Sequence, residues 1–181
     1  MTKPYPLTLF ATCVWLFFQL PVLLAQSNSS VQEYLDHIYP ELQTLYERLH
    51  QQPELSLQEE NTARLLADQL IDLGFEVQEK MGAYNLAGVF RNGPGPVILI
   101  RTDMDALPVR ENTGLSYASQ ATGTNAAGEE VNVMHACGHD MHMTVFVGTA
   151  RTLIQLKDQW QGTLVMGAQS AEETGVGAQL F

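Results

Sequence analysis

The chain has 181 residues, a formal net charge of -11 and 45% hydrophobic residues. That length suits one domain, and that apolar content suits a packed core rather than a disordered chain. The acidic balance excludes the basic patch that a nucleic acid or an anionic membrane surface requires.

The N-terminus reads as a secretory signal peptide over residues 1–25. Lys3 gives a short positive start, an apolar run follows from Leu7 to Leu24, and Ala25 is a small residue before Gln26. A membrane anchor is the other reading, but Gln19 and Pro21 interrupt the roughly 20 apolar residues that a helical span needs. Cleavage implies an exported protein, periplasmic or extracellular. The mature chain, residues 26–181, then keeps Cys137 and loses Cys13. An odd cysteine in an exported chain is either a reactive thiol or a ligand.

Ser30 with Glu33 forms a capping-box pattern for a first helix, which Pro40 is expected to divide. Leu42, Leu45, Tyr46 and Leu49 recur at helical spacing up to Gln51-Gln52-Pro53. Ser56 with Glu59 is a second capping-box pattern, opening a helix to about Leu73. Leu65, Leu66, Leu70 and Leu73 form its apolar stripe, and Gly74 is the expected stop. The period then changes from helical to alternating. Phe75 and Val77 alternate with polar neighbours, Leu86 to Phe90 is a short strand, and a Gly-Pro turn follows. Val97 to Ile100 is a continuous apolar run of the kind found in a buried central strand. Residues 111–130 read as a loop or loose hairpin, Met141 to Leu156 as a helix, and Thr163 to Ala168 as another strand. Helices alternating with strands predict an α/β sheet covered on both faces. The sheet reads as unfinished at Phe181.

Three stretches carry chemistry. Met134 to His142 reads MHACGHDMH and holds three of the five histidines. Cys137 and His139 flank Gly138, and in an extended segment residues two apart point the same way. Thiolate and imidazole are ligand types that zinc and its neighbours prefer. Alone, the pair reads equally as a buried cysteine and a capping histidine. Arg101 to Pro108, RTDMDALP, follows a strand directly, and open α/β sheets form sites beyond the carboxyl ends of strands. Asp103 and Asp105 there need a cation, unless one is protonated or both are solvated in a loop. Ala168 to Glu173, AQSAEE, follows another strand. Glu172 and Glu173 would point to opposite faces of a regular strand, so serving one site requires a turn. One carboxylate could then ligate a metal while the other acts as general base. Two solvated glutamates at a helix start are the plain alternative.

Together, RTDMDALP, HACGHDMH and AEE, in this order and spacing, resemble the amidohydrolase branch of the aminoacylase/carboxypeptidase-G metallopeptidases. The stretch LHQQPELSLQEENTA and the GPGP turn resemble it too. The resemblance implies the N-terminal part of a zinc-peptidase-like catalytic domain with a mixed sheet, whose inserted lid or dimerisation domain is absent. It implies Cys137, His139 and Glu173 as metal ligands and Glu172 as general base. It makes Asp105 the aspartate that orients a ligand. Asp103 stands where other branches carry a ligand histidine, and its role is open. His135 and His142 read as structural. The implied cofactor is a pair of divalent ions (Zn, Mn, Co or Ni), and the implied substrate is an N-acyl amino acid or small peptide. The complete family protein is a possible homodimer. Two further ligand histidines of the family have no counterpart here, so this chain completes one ion site rather than two. The competing readings are a non-catalytic chain that binds metal or a partner without turnover, and a thiol hydrolase with Cys137 as nucleophile.

Overall fold

The computed structural model describes the backbone of residues 8–181 and the side chains of residues 30–181. The expected signal peptide, residues 1–25, lies outside the residues whose side chains are described. The chain divides into two compact units, Met1–Ile38 and Tyr39–Phe181. Among the described residues of the first, Gln32 donates to Asp36 one turn on, at 2.7 Å. Among the described residues no helix is long and apolar enough to cross a membrane.

Helix α1 spans Thr8–Gln51. Ser30 and Pro40 therefore both lie inside it, neither at a cap nor at a break. A proline removes one N–H but leaves its carbonyl free to accept, and Thr44 Oγ1 donates to the Pro40 carbonyl at 2.9 Å. Leu42, Leu45 and Leu49 do form one apolar face, with Leu49 buried. Helix α2 spans Glu60–Asp72 and buries Leu66 and Leu70 completely. Gly74 follows with φ +85°, the left-handed stop that a side chain would resist.

Strands β1 (Glu76–Gln78), β2 (Leu86–Asn92) and β3 (Val97–Asp103) follow. A short hairpin, β4 (Thr122–Thr124) with β5 (Glu130–Asn132), closes part of the polar stretch. Helix α3 (His139–Gln155), one 3₁₀ turn, β6 (Gly162–Gln169) and the single-turn α4 (Gly177–Leu180) complete the order. The described sheet runs β1-β2-β6-β3. It is mixed: β2 is antiparallel to β1 and β6, and β3 is parallel to β6.

Leu66 and Leu70 of α2 and Met143, Phe146 and Val147 of α3 share one buried core with Leu86, Leu164 and Met166. On the opposite face Phe181 packs against Gly167. The expected mixed α/β architecture is present, but β3 is not the buried central strand its composition suggested. Among the described strands it pairs with β6 alone, and Val97, Ile98 and Leu99 are 70, 56 and 62% exposed.

One topological fact places the site. Because β3 and β6 are parallel, their carboxyl ends emerge side by side, with Asp103 opposite Gln169. The residues just beyond, Asp105 on one strand and Glu172-Glu173 on the other, are thereby delivered to the same edge.

Candidate metal centre

Three elements converge at that edge. The third is the N-terminus of α3, which Gly138 opens in a left-handed conformation, φ +79°. The segment before His139 thus bends at Gly138 rather than running extended. His139 is buried, and its Nδ1–H donates to the backbone carbonyl of Asp105 at 2.8 Å. That bond fixes the ring and turns Nε2 toward the two glutamates. Glu172 Oε2 lies 3.7 Å from Nε2 and Glu173 Oε1 3.9 Å.

The glutamates reach one site because the chain bends sharply before them. Ala171 has φ +52°, a left-handed conformation uncommon for a residue with a Cβ. Below the bend sits the Asp105 carboxylate, 1% exposed. It accepts from the Glu172 and Glu173 amides at 3.1 and 3.0 Å and from the Ser56 hydroxyl at 2.6 Å. Burial alone would raise its pKa. His139, Ser56 and the two amides together hold it below its ordinary value. For His139, burial opposes the charged form, but the Asp105 carboxylate and carbonyl outweigh it and push the imidazole up to about 9. The pocket thus favours positive charge at His139.

Among the described residues two sets of three donor atoms come within 4.8 Å of one another: His139 with Glu172 and Glu173, and His139 with Asp103 and His142. Nitrogen and carboxylate oxygen suit a divalent transition ion. Glu173 Oε1 is buried and has no hydrogen-bond partner among the described residues. A buried carboxylate oxygen without a partner is costly, and an ion would satisfy it. The residues present therefore fit a metal. His139, Glu173, Glu172 and Asp105 come together as the sequence suggests. Cys137 is exposed and belongs to neither set. It stands beside Glu173, whose carboxylate is the largest of the influences raising the thiol pKa. Asp103 is paired with Arg101. His142, expected to be structural, is exposed, and its ring centroid is 5.5 Å from that of His139, within reach of the same edge. His135 is buried, as a structural residue would be, but neither ring nitrogen has a hydrogen-bond partner.

Sequence reasoning missed the support behind these groups. Ser56 and Glu59 form no capping box: Glu59 stands at the N-cap of α2 without a side-chain cap bond, Ser56 binds Asp105, and Glu59 binds the Ala171 amide. His50 was passed over as well, although it lies in the LHQQPEL stretch. Its two ring nitrogens face Asp140 Oδ2 at 2.6 Å and Glu111 Oε1 at 3.1 Å, all buried. The clamp ties α1 and the 111–121 loop to the first turn of α3, next to His139. A cavity of about 460 Å³ opens beside Glu173, walled by Leu55, Ala106, Leu107 and Pro108.

The His50 clamp gives a pH-dependent prediction. Burial lowers the His50 pKa, but hydrogen bonds to Asp140 and Glu111 outweigh it and leave it raised. Its stabilisation is full below the ordinary histidine pKa of 6.5 and is lost as pH rises through the raised value. Glu111 is also buried, yet Thr113, His50 and the Ser119 amide leave its pKa lowered. Its share is present above the ordinary 4.5 and lost as pH falls through the lowered value. Denaturant unfolding should therefore show the largest gap between parent and His50→Gln between those two ordinary values. Breaking a buried pair costs about 3–5 kcal/mol. A gap of the same size at pH 9 would contradict the ionic clamp.

The chain matches the model of "Peptidase family M20/M25/M40" over residues 99–181. It is 42% identical over 130 residues to thermostable carboxypeptidase 1 of Saccharolobus solfataricus, covering 71% of this chain and 31% of that protein. It is 41% identical over 135 residues to N-acetylcysteine deacetylase of Bacillus subtilis, covering 72% and 33%. Among solved structures it resembles the Bacillus subtilis YXEP protein, described as a dinuclear metal binding peptidase from the M20 family. The TM-score there is 0.70 at 33% identity, covering 80% of this chain and 38% of that one. The chain thus spans about a third of the length of the relatives it matches.

Proposed function

The chain belongs to the M20/M25/M40 peptidase family, and from that premise we propose that it carries part of the active site of a metal-dependent amidohydrolase. The substrate class is an N-acyl amino acid or small peptide. Relatives named N-acetylcysteine deacetylase and thermostable carboxypeptidase support the reading. The observation that carries it is the convergence of His139, Glu172 and Glu173 on one point, with the buried Oε1 of Glu173 unpartnered.

His139 and Glu173 would hold a divalent ion, with Cys137 swinging in from the surface as the third ligand. Such an ion, when bound, polarises a carbonyl oxygen and makes water more acidic. Burial divides the two glutamates. The Glu173 side chain is 16% exposed and that of Glu172 42%. The buried one is placed to ligate, and the open one can accept a proton from the attacking water and pass it to the leaving amine. Asp105 fixes both through their amides and fixes His139 through its own carbonyl. The apolar cavity beside Glu173 suits an acyl group or an apolar side chain.

A thiol hydrolase is disfavoured by the chain itself. The Cys137 thiol has a raised pKa, opposite to an activated nucleophile. We also place the protein outside the cytoplasm, on the strength of its N-terminal apolar run.

The test is hydrolysis of a panel of N-acyl amino acids and dipeptides before and after EDTA. The reading expects release of free amino acid that EDTA abolishes and added Zn²⁺, Mn²⁺ or Co²⁺ restores. Hydrolysis that survives EDTA and is stopped by a thiol alkylating agent would favour the cysteine mechanism instead.

A further inference from the structure

Four consecutive amides after β6 each donate to a buried side chain from a distant part of the chain. Ser170 N–H donates to Asn85 Oδ1 at 2.7 Å, and Ala171 N–H to Glu59 Oε1 at 2.7 Å. Glu172 and Glu173 donate to the two oxygens of Asp105. Asn85, Glu59, Ser170 and Ala171 are all 0% exposed. In the interior each of these amides needs a partner. Asn85 is itself tied down, its Nδ2 donating to the carbonyls of Met81 and Gly177 at 3.3 Å.

Glu59 reaches this row from the turn before α2, where the backbone N–H groups of Glu59 and Leu57 also face its carboxylate. It makes no side-chain cap bond to α2. Its second oxygen, Oε2, has no hydrogen-bond partner among the described residues. Burying a carboxyl group costs free energy that an apolar side chain would avoid. Burial accordingly lifts its pKa to about 7, although the Ala171 amide pulls the other way. What the group does accomplish is local. It binds the amide of Ala171, the residue in the left-handed bend. That bend brings two adjacent glutamates, which a straight strand would send to opposite faces, to one side.

We propose that Glu59 is a positioning residue: by accepting the buried Ala171 amide it holds the left-handed bend that aims Glu172 and Glu173 at His139. This rests on the reading above that Glu173 ligates an ion there. The role needs an acceptor oxygen at the Oε1 position and not a charge, so glutamine can fill it and leucine cannot.

The test is Co²⁺ titration of the whole chain followed by absorbance, with circular dichroism as the check on folding. Four proteins are compared: parent, Glu59→Gln, Glu59→Leu, and Glu59→Leu combined with Ala171→Gly. Glu59→Gln should bind within about threefold of the parent. Glu59→Leu should fold and bind about 10–100-fold more weakly, the usual range for lost support behind a ligand. Glycine adopts a left-handed φ without a Cβ clash, so Ala171→Gly should recover part of that loss. A folded Glu59→Leu that binds like the parent would overturn the role. So would a tenfold loss in Glu59→Gln, which decides the matter even where Glu59→Leu does not fold. A loss in Glu59→Leu that glycine leaves unchanged would trace the effect to neighbours shifted by the leucine side chain and overturn the role as well. A parent that binds no Co²⁺ would instead overturn the site reading on which the role rests.

Discussion

Replacing Glu172 by glutamine should leave the ion in place and remove turnover. The expected fall in kcat is about 10²- to 10⁴-fold, the range a positioned general base contributes. The assignment rests on which carboxylate is free to move a proton. Glu172 is the more exposed of the pair, and its Oε2 is 3.7 Å from His139 Nε2. Its amide is held by Asp105, so the side chain alone is mobile. Glutamine keeps the shape and loses the basic oxygen. Glu173→Gln is the control, because Glu173 Oε1 is buried and placed to ligate. That variant should lose metal affinity and turnover together. The two are separated by kcat and metal content measured on the same preparations. Equal metal loss in both would mean that both glutamates ligate and neither is the base.

Asp105→Ala should be the most damaging single change in the site, acting on stability and metal affinity at once. The carboxylate accepts from Ser56, Glu172 and Glu173 and lies 3.5 Å from His139 Nδ1. Removing it orphans two amides and a hydroxyl in a buried place. Each unsatisfied group costs about 1–3 kcal/mol, so the loss should reach several kcal/mol. In variants that still fold, metal affinity should drop about 10–100-fold. Asp105→Asn keeps one acceptor oxygen but presents an NH₂ group to the remaining donors, so it should fall between parent and alanine. Chemical denaturation with a metal-affinity titration checks both effects. Asp105 has a lowered pKa, so its stabilisation is present above the ordinary 3.8 and is lost as pH falls through the lowered value. An Asp105→Ala protein as stable as the parent at neutral pH would remove Asp105 from its central place.

Much of this site is legible in the sequence because its parts sit at strand ends. Asp105 and the Glu172-Glu173 pair each follow an apolar run, and a parallel β3–β6 pair brings those ends together. The need for a turn at the glutamate pair follows from strand alternation, but its place does not: the small and glycine residues after Glu173 are the ones composition points to, and the bend lies at Ala171, before the pair. What failed were readings that need a distant partner. Ser56 and Glu59 fit the spacing of a capping box, which is a local pattern. Their actual partners, Asp105 and Ala171, are 49 and 112 residues away, beyond the view of any local pattern. Pro40 was expected to divide a helix that in fact continues past it, because one missing N–H does not end a helix held elsewhere. The run Val97 to Ile100 looked central from composition. Strand order is set by pairing, and β3 has one partner among the described strands. His50 carries no signal of its own, since a single histidine on a helix discloses nothing about Asp140 and Glu111.

The most direct test of the metal centre is a Co²⁺ titration of the parent beside His139→Ala and Cys137→Ser, each checked for folding. The parent should bind at least one equivalent, with a thiolate-to-metal charge-transfer band. Cys137→Ser should bind more weakly and lose that band, and His139→Ala should bind no Co²⁺ at the site. A folded parent that takes up no ion, or a His139→Ala protein that binds as the parent does, would contradict the metal centre.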